Sequence, residues 1–128
     1  MASHRNLKAW EHAKVLAVEC LRAARAFPSC DQPTLGDQLR RAATSAALNI
    51  AEGASRPSNR DYRRFLDAAR GSLKEVAAVL EIAHGADCMD SSTYARLEAR
   101  CDEASKTVYG LLRFVEKRLA GGEPRRAL

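Results

Sequence analysis

Histidine, cysteine, proline, glycine and aromatic residues are all scarce in this chain: 3 His, 4 Cys, 4 Pro, 7 Gly, 1 Trp, 3 Tyr and 3 Phe among 128 residues. Cys20, Cys30, Cys88 and Cys101 form no C-x-x-C pair and have no histidine at ligand spacing, which argues against a zinc site or a disulfide framework. They read as small thiols in a reducing compartment. No apolar run is long enough to span a bilayer. The polar, basic N-terminus is not followed by the apolar stretch of a signal peptide, so the expected location is the cytoplasm, with no membrane partner. With few glycines and prolines the chain has few helix breakers, and its 24 alanines supply the best helix former. Hydrophobic residues make up 46% and charged residues 29%, the balance of an ordinary globular chain. Twenty-one Lys and Arg against 16 Asp and Glu leave a net charge of +5, which allows anionic partners.

Proline and glycine divide the rest into four helical stretches. The first is predicted over residues 6–26, ending at Phe27-Pro28. The second runs over 34–54, with Thr34 as a cap and Asp37 three positions on. The third covers 58–85, from Ser58 with Asp61 three residues later to a glycine stop at Gly85. The fourth spans 91–120 and ends at Gly121-Gly122. Residues 1–120 then form one domain and 121–128 a short basic tail carrying Arg125 and Arg126. Short connections make consecutive helices antiparallel neighbours, so the expected fold is all-α, an up-down-up-down four-helix bundle.

Three of the apolar stripes are of bundle width. The third helix repeats Tyr62, Phe65, Leu66, Ala69, Leu73, Val76, Val79, Leu80 and Ala83, and the fourth Leu97, Cys101, Ala104, Val108, Leu111, Leu112, Val115 and Leu119. The second has smaller side chains, Leu35, Leu39, Ala42, Ala43, Ala46 and Ile50, so its neighbours are expected to approach closely. The first is broader. Leu7, Trp10, Ala13, Leu16, Ala17, Val18, Cys20, Leu21 and Ala24 cover roughly 200°, which points to a second contact with another subunit.

Beside the small-residue seam of the second helix runs a polar ladder: Gln38, Arg41, Ser45, Asn49, Glu52 and Arg56. Steps of three and four residues place all six within about 80° of arc. Such a ladder either bonds to neighbouring helices or subunits and fixes their register, or lines a binding site. Glu52 and Arg56 form an i,i+4 pair. An unpaired Asn49 or Glu52 in a core would cost about 1–3 kcal/mol or more.

Charge is also unevenly spread. Residues 40–70 carry seven arginines against Glu52, Asp61 and Asp67, whereas residues 71–90 are net negative by three. On the third helix Arg60, Arg63, Arg64, Arg70 and Lys74 fall within about 120° of one another, opposite the apolar stripe. Any charged helix face can be merely solvated. The preference for Arg, 16 against 5 Lys, favours phosphate contacts instead. With Arg40 and Arg41 these are the candidate nucleic-acid-binding residues. Because aromatics are scarce, binding should be to backbone phosphate, weakly sequence-specific and strongly salt-dependent.

The run Leu39-Arg40-Arg41-Ala42-Ala43, then Ser45, Asn49-Ile50-Ala51-Glu52-Gly53 and Arg56, followed by Phe65-Leu66, Ala69, Gly71-Ser72 and Glu75, resembles the 23S ribosomal RNA intervening-sequence proteins. This four-helix-bundle family includes the accessory variability protein of diversity-generating retroelements. Leu7, Trp10 and Phe27-Pro28 extend the resemblance over residues 6–120. It implies a bundle assembling as a ring, typically a homopentamer, without enzymatic activity. For the retroelement branch it implies a basic surface contacting RNA and a reverse transcriptase. The matching positions are Gln38, Arg40, Arg41, Asn49, Glu52, Gly53 and Arg56. Ala46 and Ala47 depart from the family's usual isoleucine and proline, and without that proline the second helix should be straighter.

No nucleophile, paired carboxylate, metal cluster or phosphate-cradling glycine loop can be assembled from these residues, so neither enzyme activity nor cofactor is expected. Two functions remain. One is an oligomeric bundle binding RNA or DNA backbone through its arginines. The other is a scaffold for a protein partner, with the arginines serving solubility and intersubunit pairing.

Overall fold

The first four N–H and last four C=O groups of a helix lack partners within it, and in α3 and α4 a side chain takes up one of those at the start. In a computed structural model, which describes residue 4 and residues 7–122, four helices form: α1 (Lys8–Arg25), α2 (Asp37–Ala54), α3 (Asn59–Gly85) and α4 (Ser91–Ala120). No strand occurs among the described residues. The Ser58 hydroxyl accepts from the Asp61 N–H at 3.2 Å, starting α3 as the sequence spacing suggests. At α4 the cap is Asp90, whose carboxylate accepts from the Thr93 N–H at 2.7 Å. That bond holds the Asp90 carboxyl below its ordinary pKa.

The start of α2 differs from the sequence expectation, and α3 ends at Gly85 as expected but by a different device. Thr34 does not cap α2: its hydroxyl donates to the Asp31 carbonyl, and a π-helical turn over Gln32–Gly36 leads into a helix that becomes regular only at Asp37. Pro33 sits in the first positions of that turn, where a missing N–H costs nothing. At the end of α3, Gly85 is still helical and Asp87 takes the left-handed conformation, with φ 61°. The Cys88 N–H then reaches back to the Ala83 carbonyl at 2.8 Å, and the Asp87 N–H to His84 at 3.1 Å, closing the helix. α1 begins at Lys8; Asn6 and the tail with Arg125 and Arg126 lie outside the described residues.

Gln32 joins the first two helices. Its amide nitrogen donates to the carbonyls of Ala24 at 2.7 Å and Phe27 at 2.9 Å, satisfying the C-terminal end of α1. Its amide oxygen accepts from Arg40, which also binds Asp37. At the same end of the bundle the Cys88 thiol donates to Asp31, tying the α3–α4 turn to the α1–α2 connection.

Each helix packs on the next, and α4 returns to α1, so the four close an up-down-up-down bundle. One cluster of buried residues runs through it, with Leu16, Leu39, Ile50, Leu66, Leu73, Leu80, Leu97 and Val108 fully enclosed. Burying each Leu contributes roughly 1.5–3 kcal/mol. Between them lie fully buried alanines, Ala13, Ala43, Ala46, Ala69 and Ala104, which let the helices approach. α2 and α3 approach closely at Gly53: a Cβ there would stand 2.9 Å from the Phe65 Cβ and 3.0 Å from the Tyr62 ring. α2 passes through Ala46 and Ala47 without interruption.

The wide apolar arc of α1 is mostly absorbed by this one bundle. Ala13, Leu16, Ala17, Cys20 and Ala24 are buried, and Leu7, Trp10 and Leu21 are half-buried. Val15 and Val18 stay exposed, on the side facing α4.

Candidate nucleic-acid interface

The polar ladder and the arginine face meet along the seam between α2 and α3. The Ser45 hydroxyl lies 3.0 Å from that of Ser72, so the ladder bonds across the seam at mid-helix. The Asn49 amide nitrogen donates back to the Ser45 carbonyl at 2.9 Å and hydroxyl at 3.1 Å. Glu52 and Arg56 pair at 2.9 Å as their spacing predicts. Toward the end of the seam the Arg56 guanidinium lies over the Phe65 ring at 4.8 Å, with Arg64 over the same ring at 5.0 Å. The lower ladder is thus joined to Arg64 of α3 through one aromatic ring.

Above the ladder is an open groove of about 600 Å³, lined by Arg40, Arg41, Thr44, Ser45, Leu48, Asn49, Glu52 and Phe65. Leu48 offers it a bare apolar surface, 60% exposed. Gln38 projects from the same helix edge and is exposed.

The seven candidate phosphate-binding residues divide into two groups. Arg40 is committed to Gln32 and Asp37, Arg64 pairs with Asp61 at 3.5 Å and stacks on Phe65, and Arg70 lies 5.1 Å from the Tyr109 ring. Arg41, Arg60, Arg63 and Lys74 are exposed and make no ion pair, hydrogen bond or ring contact among the described residues. A second shallow depression gathers Arg60, Arg63 and Arg64 around Asp61 and Asp67. The register that pairs Ser45 with Ser72 and Gly53 with Phe65 puts Arg41 near the Lys74 end of α3. Arg41 sits beside the α2–α3 seam, whereas Arg63 and Lys74, nine and two residues from Ser72, lie on the far azimuth of α3 from that seam; the free cations are spread over the outer surface of the two helices rather than gathered around one anion site.

A cluster that sequence reading missed lies on the opposite side of the bundle. Glu19 of α1 accepts from the Nε groups of Arg96 and Arg100 of α4, each at 2.8 Å. With Lys14, Arg22 and the exposed Val15 and Val18 they line a groove of about 430 Å³. The pairing joins residues 77 positions apart, and nothing local in the sequence signals it.

Three of the thiols are withdrawn from chemistry. Burial, with Cys101 and Glu19 nearby, pushes the Cys20 thiol up to about 12, and burial raises Cys101 to about 11. Cys88 is raised as well, by burial and by its bond to Asp31. A thiol so raised holds almost no thiolate at neutral pH. Among the described residues no group of three or more His, Cys, Asp or Glu is placed to hold a metal, and no helix is long and apolar enough to cross a membrane.

Four antiparallel helices closed around one apolar core, with a polar seam and an arginine-rich outer face, define a four-helix-bundle protein. The chain belongs to the 23S rRNA-intervening sequence protein family, whose model matches residues 5–110. Its fold is similar to the crystal structure of a protein of unknown function from the S23 ribosomal protein family of Bacteroides thetaiotaomicron. That likeness has a TM-score of 0.76 at 19% identity and covers 82% of this chain and 95% of the other. No curated protein matches the chain. None of these matches indicates an enzyme family.

Proposed function

We propose that this protein is a non-enzymatic bundle that binds the backbone of RNA or DNA through the α2–α3 face. The observation that carries the reading is the set of exposed, unengaged cations Arg41, Arg60, Arg63 and Lys74 on the outer surface of α2 and α3. Over residues 59–74, α3 carries Arg60, Arg63, Arg64, Arg70 and Lys74 against Asp61 and Asp67, so positive charge is left over there. The test is titration of a structured RNA and a DNA duplex at several salt concentrations. Binding that weakens steeply with salt, and weakens for all sequences alike when Arg60 and Arg63 are changed to Ala, is the expected result. Absence of binding at low salt overturns the reading.

We infer further that copies of the chain assemble, the expected closed form being a ring such as a homopentamer. The α1–α4 groove favours this: four cations against Glu19 flank exposed valines, while residues 71–90 of the same chain are net negative by three and present Ile82 at 58% exposure. A basic apolar groove meeting an acidic apolar ridge of the next copy is a heterologous contact, the kind that closes into rings. Light scattering at micromolar concentration should give several times 14.0 kDa. A clean monomer contradicts it. If instead the assembly binds no nucleic acid and retains a specific protein after nuclease treatment, such as a reverse transcriptase, the scaffold reading takes its place.

A further inference from the structure

The groove over α2 has a feature that phosphate binding does not use. Of the four ladder side chains lining it, Asn49 and Glu52 each offer an acceptor oxygen. The Ser45 carbonyl can only accept, so the 2.9 Å contact from Asn49 fixes the amide with nitrogen inward and leaves Oδ1 without a partner among the described residues. Glu52 gives one carboxylate oxygen to Arg56 at 2.9 Å and keeps the other. Asn49 and Glu52 are three residues apart, neighbours on one helix face about 4.5 Å apart along the axis. Beside them lies the bare side chain of Leu48, and the unengaged guanidinium of Arg41 stands farther along the groove.

Two adjacent acceptors select a ligand edge with two adjacent donors. Among the common bases only guanine presents this on its Watson–Crick edge, the ring N1–H beside the exocyclic N2 amine. Adenine, cytosine and uracil each pair a donor with an acceptor there, which would set an acceptor against Asn49 or Glu52. At about 600 Å³ the groove falls within the ~300–1,000 Å³ of small-ligand sites. It opens onto the arginines that the proposed function assigns to phosphate. We propose that the α2 groove is a subsite for one unpaired guanine of a bound strand. Asn49 Oδ1 and Glu52 accept from its N1–H and N2 amine, Leu48 covers part of its face, and Arg41 takes a neighbouring phosphate. Unpaired bases are the usual carriers of sequence specificity in RNA recognition, since a stacked duplex hides this edge.

The inference rests on the nucleic-acid reading, and one experiment separates them. Short labelled oligouridylates carrying a single central guanine, adenine, cytosine or hypoxanthine are titrated at low salt, with a matching deoxy series. Free GMP and AMP serve as competitors. Guanine should bind about tenfold tighter than the other bases, as one well-placed pair of hydrogen bonds allows. Hypoxanthine, which lacks the N2 amine, should lose most of that preference, and GMP should compete better than AMP. The ratio of guanine to uracil affinity, read within each variant so that a folding defect cancels, should fall to about one in Asn49→Ala and in Glu52→Ala. A guanine preference confined to the ribo or the deoxy series identifies which strand is the ligand. Equal affinity for all bases, or a preference that survives both variants, overturns the subsite alone. Failure of every oligonucleotide to bind overturns the nucleic-acid reading with it.

Discussion

Replacing Gly53 by alanine sets two effects against each other. Gly53 is a buried residue within α2, and helix propensity alone makes Gly→Ala there stabilising by about 1 kcal/mol. Packing opposes it: the new methyl would lie 2.9 Å from the Phe65 Cβ and 3.0 Å from the Tyr62 ring. A Cβ is fixed to its backbone and cannot swing aside, so α2 and α3 must separate, and overpacking of this kind costs roughly 1–3 kcal/mol. The same movement stretches the Ser45–Ser72 bond, which contributes about 1 kcal/mol. Packing should win by about 1–2 kcal/mol. At ~2.1 cal/mol/K per residue, unfolding entropy for 128 residues is about 0.27 kcal/mol/K, so Tm should fall by about 4–7 °C. Gly71 and Gly110, each with nothing within 4 Å of a built Cβ, are the controls. Either one changed to Ala should raise Tm by about 2–4 °C. The assay is thermal unfolding followed by circular dichroism at 222 nm. A Gly53→Ala variant melting at or above the wild type would refute the close-approach argument.

Of the four cysteines only Cys30 is exposed, so a thiol-reactive disulfide reagent should label one thiol quickly in the native protein and all four in denaturant. Fast labelling of two or more native thiols would count against the core described. Cys20 and Cys101 are buried and their folded pKa values, about 12 and about 11, lie above the ordinary 9.0. Their stabilisation is therefore complete below pH 9 and is lost as pH rises through about 9 to 12, at about 1.4 kcal/mol per pH unit for each thiol. Denaturant titrations at pH 8 and pH 10 should show this loss in the wild type and a much smaller one in Cys20→Ala/Cys101→Ala; equal losses in both would contradict it. Gln32→Ala removes two bonds to the end of α1 and one of the bonds that hold Arg40, and should destabilise by about 1–3 kcal/mol in urea unfolding. No change would show that the Gln32 junction does not hold the connection.

What could be read from the sequence was whatever repeats at helical spacing. The stripes of α3 and α4, the Ser58 cap and the Glu52–Arg56 pair are local patterns, and the structure has them in place. The start of α2 was not legible, because Pro33 and Thr34 look like a capped beginning while Gln32 directs its amide into the end of α1. Neither were the cross-helix partners. That Ser45 meets Ser72, or that Glu19 holds Arg96 and Arg100, depends on a register fixed by packing at points such as Gly53. For the candidate interface, spacing found the arginines but not their employment. Arg40 and Arg70 look the same in sequence as Arg41 and Arg63, yet the first two are taken up by Gln32, Asp37 and Tyr109. The apolar width of α1 likewise overstated its free surface, because half-burial of Leu7, Trp10 and Leu21 shows only once neighbours are placed.

The most direct test of the α2–α3 face as a phosphate-binding surface is the salt dependence of nucleic-acid affinity in the wild type and in Arg41→Ala/Arg60→Ala/Arg63→Ala. Each phosphate neutralised adds about 0.7 (single strand) to 0.9 (duplex) to the slope of log K against log salt. The four unengaged cations thus predict a slope of about −3 (single strand) to about −3.6 (duplex) per engaged subunit, a loss of about 50- to 150-fold between about 50 and about 200 mM salt. The triple variant should retain a slope of only about −1 and bind all sequences more weakly. No binding at the lowest salt, or a slope the triple variant leaves unchanged, would contradict the account.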